Sequence, residues 1–400
     1  MSTIRRIVCG ISGGVDSAVS AHILKRKGYD VVGLFMRNWD VRNEKGRCQA
    51  DEDREDAVYV CKHLQIPLYE VDFVKQYWNE VFSKMIRDYQ NGITPNPDIL
   101  CNRHVKFDHF VKYATSKLDG HAIATGHYAR TSVGYNLDQI DDQKGVSLLC
   151  AEDKDKDQTF FLSQIEQWAL RHTIFPLGNL SKKTVKEIAA SVGMGKLAHK
   201  KESMGICFIG TRNFQDFIEE YIEPKPGNFI DIESGKVVGT HKGTHYWTLG
   251  QRCNLAGLAS AYFVAQINAD TQDIYVAAGT DHPALFSQTF VTSPMHWIRQ
   301  NFFYAPPLEE FDAMFRFQHK HPLIECSCKL RDDGGYDVSL ERPMRAVTPG
   351  QYSVILFRGR LPRQRTHPQS RAVTPSSWGQ HEGQVPSRTC IVALLDLKIL

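Results

Sequence analysis

Near the N-terminus, Ser12-Gly13-Gly14-Val15-Asp16-Ser17 sets two adjacent glycines, two hydroxyls and a carboxylate between an apolar run, Ile7 to Ile11, and an amphipathic one, Val15 to Lys27. Paired glycines let the backbone take left-handed dihedrals and approach a ligand closely, so that successive N–H groups face one anion at a helix start. That arrangement suits a pyrophosphate group. A Walker A loop needs Gly-x-x-x-x-Gly-Lys-Ser/Thr, and no Lys follows here, which points away from kinase chemistry and toward transfer of AMP. A Gly-Gly pair alone would serve equally as a tight turn whose helix Asp16 and Ser17 cap. The complete string favours phosphate.

Two cysteines offer sulfur chemistry. Pro95-Asn96-Pro97-Asp98-Ile99-Leu100-Cys101-Asn102 leads a rigid two-proline turn into a cysteine that is expected to open an amphipathic helix running to about Leu118. A thiol at a helix start lies near the positive end of the helix dipole, so Cys101 reads as reactive, or else as a small core residue. Asp98, three residues earlier, would serve as acid/base there or as a helix cap. Lys200-Lys201-Glu202-Ser203-Met204-Gly205-Ile206-Cys207-Phe208-Ile209-Gly210 puts a second thiol in a glycine-flanked loop behind two cations. Cys101 and Cys207 meet only if the fold unites them.

The elements that must position these residues alternate short apolar runs with helical periodicity from Arg5 to about Gly126, the texture of a parallel α/β sheet. Strands are predicted at Ile7–Gly10, Val31–Met36, Leu68–Phe73 and Ala122–Thr125, with right-handed crossovers placing the glycine turn and Gly126-His127 at one carboxyl edge. Thr131 to Ala151 reads as a hairpin excursion, and Ser181 to Val192 and Phe214 to Tyr221 as helices. Past Pro224-Lys225-Pro226-Gly227 the texture changes to two runs of short strands, Asn228 to about Ala278 and Thr289 to about Ser353. Leu356 to Cys390 is rich in Arg, Pro, Ser and Gln with Glu382 as its only acid, and is expected to be disordered. Ile391 to Leu400 is apolar and could dock.

The 400 residues, 42% hydrophobic, allow two or three domains and large cores. No stretch approaches the roughly 20 apolar residues of a membrane span. A net charge of +3 argues against wholesale electrostatic binding of nucleic acid, while leaving room for a local basic patch. Ten cysteines without a repeating spacing support neither a disulfide framework nor a CxxC zinc pair, so a reducing compartment is expected. Cys326 and Cys328 share one strand face, where packing is favoured over metal. Arg5 and Arg6 precede a strand that starts almost at once, and no long transit peptide is visible.

Taken together, SGGVDS (12–17), TPNPDILCN (94–102), KF (106–107), ATGHYAR (124–130), KDQTFFL (156–162), KKESMGICFIG (200–210), GTHKG (239–243) and TLGQR (248–252) make the chain resemble the tRNA-specific 2-thiouridylases from about residue 4 to 353. These are PP-loop enzymes that put sulfur on C2 of the wobble uridine, U34. The KDQTFFLSQ and KKESMG wording is most similar to mitochondrial members, which act on tRNAs for Lys, Glu and Gln, and the resemblance thus implies a mitochondrial location. It further implies an α/β fold with a Rossmann-like PP-loop ATP pyrophosphatase sheet of the adenine nucleotide alpha hydrolase-like kind over 1–212. A central β-rich tRNA-binding domain at 213–285 and a C-terminal β-barrel at 286–355 would follow, then a divergent tail, 356–400. After Val354 the family's closing strand is missing from its usual place, so the barrel is expected to lack a strand and expose an edge. An alternative exon or frame would account for residues from about 355.

The resemblance implies that ATP binds across Gly10, Ile11, Ser12, Gly13, Gly14, Val15, Asp16 and Ser17, with Met36 and Gly126 also at the nucleotide and Mg²⁺ near Asp16. The uridine C2 oxygen would attack the α-phosphate, a persulfide on Cys207 would supply sulfur, and Cys101 would then form a disulfide with Cys207, with Asp98 assisting. The persulfide would come from a sulfur relay or a cysteine-desulfurase-derived donor, and the enzyme is expected to be a monomer. Asn96, Pro97, Asp98 and His127 would line the pocket for a turned-out base, and Lys156, Asp157, Gln158, Arg316, Phe317 and Gln351 would meet tRNA. Pattern alone reads Lys156 as part of a solvated charge run, Phe317 as core and His127 as a satisfied strand-end histidine. Cys253-Asn254-Leu255-Ala256-Gly257-Leu258 departs from the family's short glycine turn after TLGQR. Three competing readings stay open: a thiolase whose Cys101, Cys207 and Asp98 hold an iron–sulfur cluster, an amidotransferase-like PP-loop enzyme, and a tRNA-binding protein with a vestigial loop.

Overall fold

A computed structural model describes residues 6–39, 49–142, 145–200, 213–298, 308–357 and 393–398. The first sheet contains β1 (Arg6–Gly10), β2 (Asp30–Arg37), β3 (Leu68–Asp72) and β4 (Ala122–Ala124). A hairpin of β5 (Arg130–Thr131) and β6 (Leu148–Leu149) leaves the sheet, and β7 (Thr173–Ile174) returns to it. The strand order is β3-β2-β1-β4-β7, all parallel. Ile7, Val8 and Cys9 of β1 are fully buried, as an unbroken apolar run requires of a strand covered on both faces. Helices α1 (Val15–Arg26) and α2 (Gln49–Leu64) bury Val15, Ala18 and Val19, and Ala57, Val60, Cys61 and Leu64, against it. Because β1 is flanked by β2 and β4, the chain reverses its winding there, which opens a crevice at the carboxyl edge of those strands.

A helical arm fills the other side. It runs through Val74–Tyr77, Trp78–Phe82 and Ser83–Gln90, then resumes as Pro97–Leu100, a π-helical stretch Cys101–His109 and Phe110–Lys117. Cys101 therefore does not open its helix: Pro97 does, with the Asn96 side chain accepting from the Ile99 N–H. Asn before Pro is a strong start signal, since the cap oxygen replaces a missing acceptor and Pro has no N–H to leave orphaned.

The central sheet has the order β10-β11-β12-β8-β9, from β8 (Gly227–Asp231), β9 (Val237–His241), β10 (Arg252–Cys253), β11 (Tyr262–Asn268) and β12 (Asp273–Ala278). The C-terminal sheet comprises β13 (Phe286–Thr292), β14 (His296–Trp297), β15 (Glu310–Arg316), β16 (Ile324–Leu330), β17 (Tyr336–Arg345), β18 (Tyr352–Leu356) and β19 (Ala393–Lys398). Strand β19 pairs with β18, β13 and β14, so the circuit β13-β17-β16-β15-β18-β19 closes on itself. This corrects the expectation of a barrel lacking a strand. The apolar end of the tail fills the open seat between two edges, whose unpaired N–H and C=O groups template a further strand. Most of the preceding tail lies outside the described residues. Cys326 and Cys328 are buried in the barrel core.

Candidate active site

The glycine turn stands at the crevice between β1 and β4. Gly13 has φ +74°, and a Cβ there would overlap the Asp53 carbonyl oxygen of α2, so only glycine fits. The Ser17 hydroxyl accepts from the Ser12 N–H at 3.2 Å and donates to the Gly14 carbonyl at 3.0 Å, folding the loop over its own helix. Ile11 and Val15 point into the core. What these two offer a ligand is backbone, and the N–H groups of the first turn of α1 have no intrahelical acceptor. Gly126 packs on the loop so closely that a Cβ would lie 2.8 Å from the Ser17 nitrogen. Met36, near the carboxyl end of β2, is half-buried.

Asp16 does not stand ready for a metal. Both of its oxygens accept from Lys182 Nζ, at 2.8 and 2.7 Å, and the Tyr128 hydroxyl donates to Oδ1 at 2.9 Å. Lys182 is the first residue of helix Lys182–Ser191, capped by Ser181, and its N–H donates to Asp153. The positive charge beside the glycine turn is therefore a lysine. No group of three or more His, Cys, Asp or Glu suited to a metal occurs among the described residues.

The Cys101 helix reaches the same edge. Phe110 lies against Gly10 at the end of β1, and Asn102 donates to the Phe161 carbonyl at 3.0 Å. Cys101 is a reduced thiol, 3% exposed. It stands a turn inside its helix, beyond the first turn in which the helix dipole favours a thiolate. Asp98, one turn earlier on the same face, has its carboxyl pushed up by burial against the opposing pull of Lys106. His127 is held well below its usual range by burial and by Lys106. Its Nδ1 shares a 2.8 Å hydrogen bond with Thr125 Oγ1, and its ring packs on Phe107 and Phe175. A neutral imidazole, a carboxyl whose pKa is raised by burial and a lysine thus share one neighbourhood. Cys207 lies outside the described residues. Of the described cysteines, Cys150 is disulfide-bonded.

Several residues expected at tRNA serve the fold. Asp157 accepts from the Ala151 N–H, the Thr159 hydroxyl and Arg316, the last at 3.2 Å, with side chains 5% and 9% exposed. This buried pair ties the C-terminal barrel to the first domain. Phe317 is fully buried in the barrel core, so its side chain is not a surface for RNA. The Gln158 side chain accepts from the Tyr128 N–H and its own N–H donates to the Tyr128 carbonyl, steadying the tyrosine that holds Asp16. Lys156 is half-buried, and Gln351 sits at the turn before β18.

Lys182, Tyr128 and Lys106 were missed as site residues. Tyr128 and Lys106 stand inside strings that carried the resemblance, ATGHYAR and KF, and the Ser181 cap marked the helix start that delivers Lys182. Nothing local ties Lys182 to Asp16.

Family profiles match three consecutive stretches: a tRNA methyl transferase HUP domain over 5–211, a tRNA methyl transferase PRC-barrel domain over 215–278 and an Aminomethyltransferase beta-barrel domain over 287–360. Mitochondrial tRNA-specific 2-thiouridylase 1 of Drosophila melanogaster is 50% identical over 352 residues, covering 88% of this chain and 90% of that protein. Those of Gallus gallus and Homo sapiens are 49% and 47% identical, with 88% of both chains covered in each case. With identities of 47–50% over 88% of its length, the chain belongs to the tRNA-specific 2-thiouridylase family.

Proposed function

We propose that this protein is a mitochondrial sulfurtransferase that converts the wobble uridine of tRNA to 2-thiouridine at the expense of ATP, releasing AMP and pyrophosphate. The observation that carries the reading is the Ser12–Ser17 turn at the switch point of a parallel sheet, with the Cys101 helix packed on the same edge. Backbone N–H groups of the turn would hold the phosphates, and Lys182, poised on Asp16, would meet the charge that develops as pyrophosphate leaves. Mg²⁺, when bound, would neutralise the triphosphate; Asp16 would first have to exchange Lys182 for it.

With the C2 oxygen adenylated, a Cys207 persulfide attacks C2 and AMP departs with that oxygen. The Cys101 thiolate then attacks the Cys207 sulfur, freeing the thiocarbonyl and leaving a disulfide that an external thiol reduces. Asp98, its pKa raised by burial toward the range useful for proton transfer, would supply or take the proton at the base. Because Cys101 is buried, its attack requires the helix to be uncovered. Incubating iron-free protein with ATP, Mg²⁺, a persulfide donor and tRNA for Lys, Glu or Gln, then digesting to nucleosides, should yield 2-thio derivatives of U34 by mass spectrometry. Thiolation that needs iron, or none at all, would overturn the reading.

A further inference from the structure

The Thr248-Leu249-Gly250-Gln251-Arg252 string has no part in the chemistry described so far, yet it meets all three domains. Its turn is closed by the Thr248 N–H donating to Gln251 Oε1 and is laid on β11 through Gly250 N to the Val264 carbonyl, 2.7 Å. The C-terminal barrel grips the same turn: Arg345 donates to the Gly250 carbonyl at 3.1 Å, and a Cβ on Gly250 would lie 2.6 Å from that of Ala346. On its third side, Thr248 Oγ1 shares a 2.7 Å hydrogen bond with Thr94 Oγ1.

Thr94 belongs to the short segment that carries the chemistry. Gly92 before it packs on Ile267 and Ala269 of the central domain, and Ile93 fills the space above Gly350, where φ is +80° and a Cβ would overlap Ile93 Cγ2. After it come Pro95 and Pro97, each fixing φ, and then the helix holding Asp98 and Cys101. A displacement of Thr94 is passed along so stiff a link instead of being absorbed. We propose that Thr248 is a positioning residue: through Thr94 it lets the two β-domains set where Asp98 and Cys101 stand.

The proposal rests on the thiolase reading for its kinetic arm and on none of it for its chemical arm. Thr248→Val keeps the shape and removes the hydroxyl; Thr248→Ser keeps the hydroxyl. Alkylation of Cys101 by iodoacetamide, followed by peptide mass spectrometry, is expected to change about threefold or more in Thr248→Val and to return to the parent rate in Thr248→Ser. Thiolation kcat should fall about tenfold with the tRNA KM within about twofold, since a misplaced reacting group costs turnover rather than binding. Thr94→Val with Thr248→Val should be no worse than either alone. An unchanged Cys101 rate in Thr248→Val, a raised KM with kcat intact, or loss of ATP binding together with thermal stability would each overturn it. If the parent protein does not thiolate, the function fails while the alkylation arm still decides the joint.

Discussion

Lys106 is the residue on which the electrostatics of the site turn. Its ammonium pulls the Asp98 carboxyl down against the push of burial and presses the His127 imidazole further below its usual range. Replacing it by Gln removes a cation from both, so both groups should titrate at higher pH. The expected outcome is that the limb of the thiolation pH profile that vanishes in Asp98→Asn moves upward in Lys106→Gln, measured as kcat between about pH 5.5 and 9. A limb that stays in place, or moves down, would remove Lys106 from the site. The KF pair was visible in the sequence as a string, but its role was not, because a lysine on an amphipathic helix reads as solvated until burial of its neighbours is known. Asp16 illustrates the same limit. Its loop was legible from six adjacent residues, while its partner Lys182 arrives from a distant helix and carries no mark of its destination.

At the scale of elements, sequence pattern located what periodicity and caps determine. The four main strands and the Lys182–Ser191 helix fall within a residue or two of their expected places, since buried parallel strands and capped helices write their own limits. Two features escaped for tertiary reasons. The helix holding Cys101 starts four residues before the cysteine, at the Asn96-Pro97 cap, because the cap and not the thiol satisfies an orphan N–H group of its first turn. The terminal strand β19 could not be assigned to the barrel, since a short apolar run bears no register until two edges select it. Its seating has a measurable consequence. Truncation after Cys390 would leave β18 and β13 with unpaired edges, and is expected to lower the unfolding temperature of the barrel and to cause concentration-dependent association by light scattering, while ATP binding by the first domain persists. A truncated protein that stays monodisperse and equally stable would show that the closure contributes little.

Buried histidines in all three domains bind protons less readily than free imidazole, and this shapes the response to acid. Burial lowers the pKa of His22, His104 and His127 in the first domain, His241 and His245 in the central one and His319 in the barrel from the ordinary value of 6.5. Below about pH 6.5 the unfolded chain binds protons at these positions that the folded chain refuses, so the unfolded state holds more protons and stability must fall as pH falls. Lower still, Asp56, Glu70 and Asp231, whose folded values are depressed by lysine, arginine and serine partners, add to the loss as they protonate. Asp98 acts in the opposite sense, because its raised value makes the folded state the better proton acceptor, but it is a single carboxyl against several imidazoles. Calorimetry should therefore show the unfolding transitions shifted to lower temperature at pH 5.5 than at pH 7.5, and the shift should appear in the transitions of the β-domains as well as in that of the nucleotide domain. A stability that is flat or rising toward pH 5.5 would mean that these rings take up protons in the folded chain as readily as in the unfolded one. A shift confined to one transition would mean that only that domain's histidines stay uncharged.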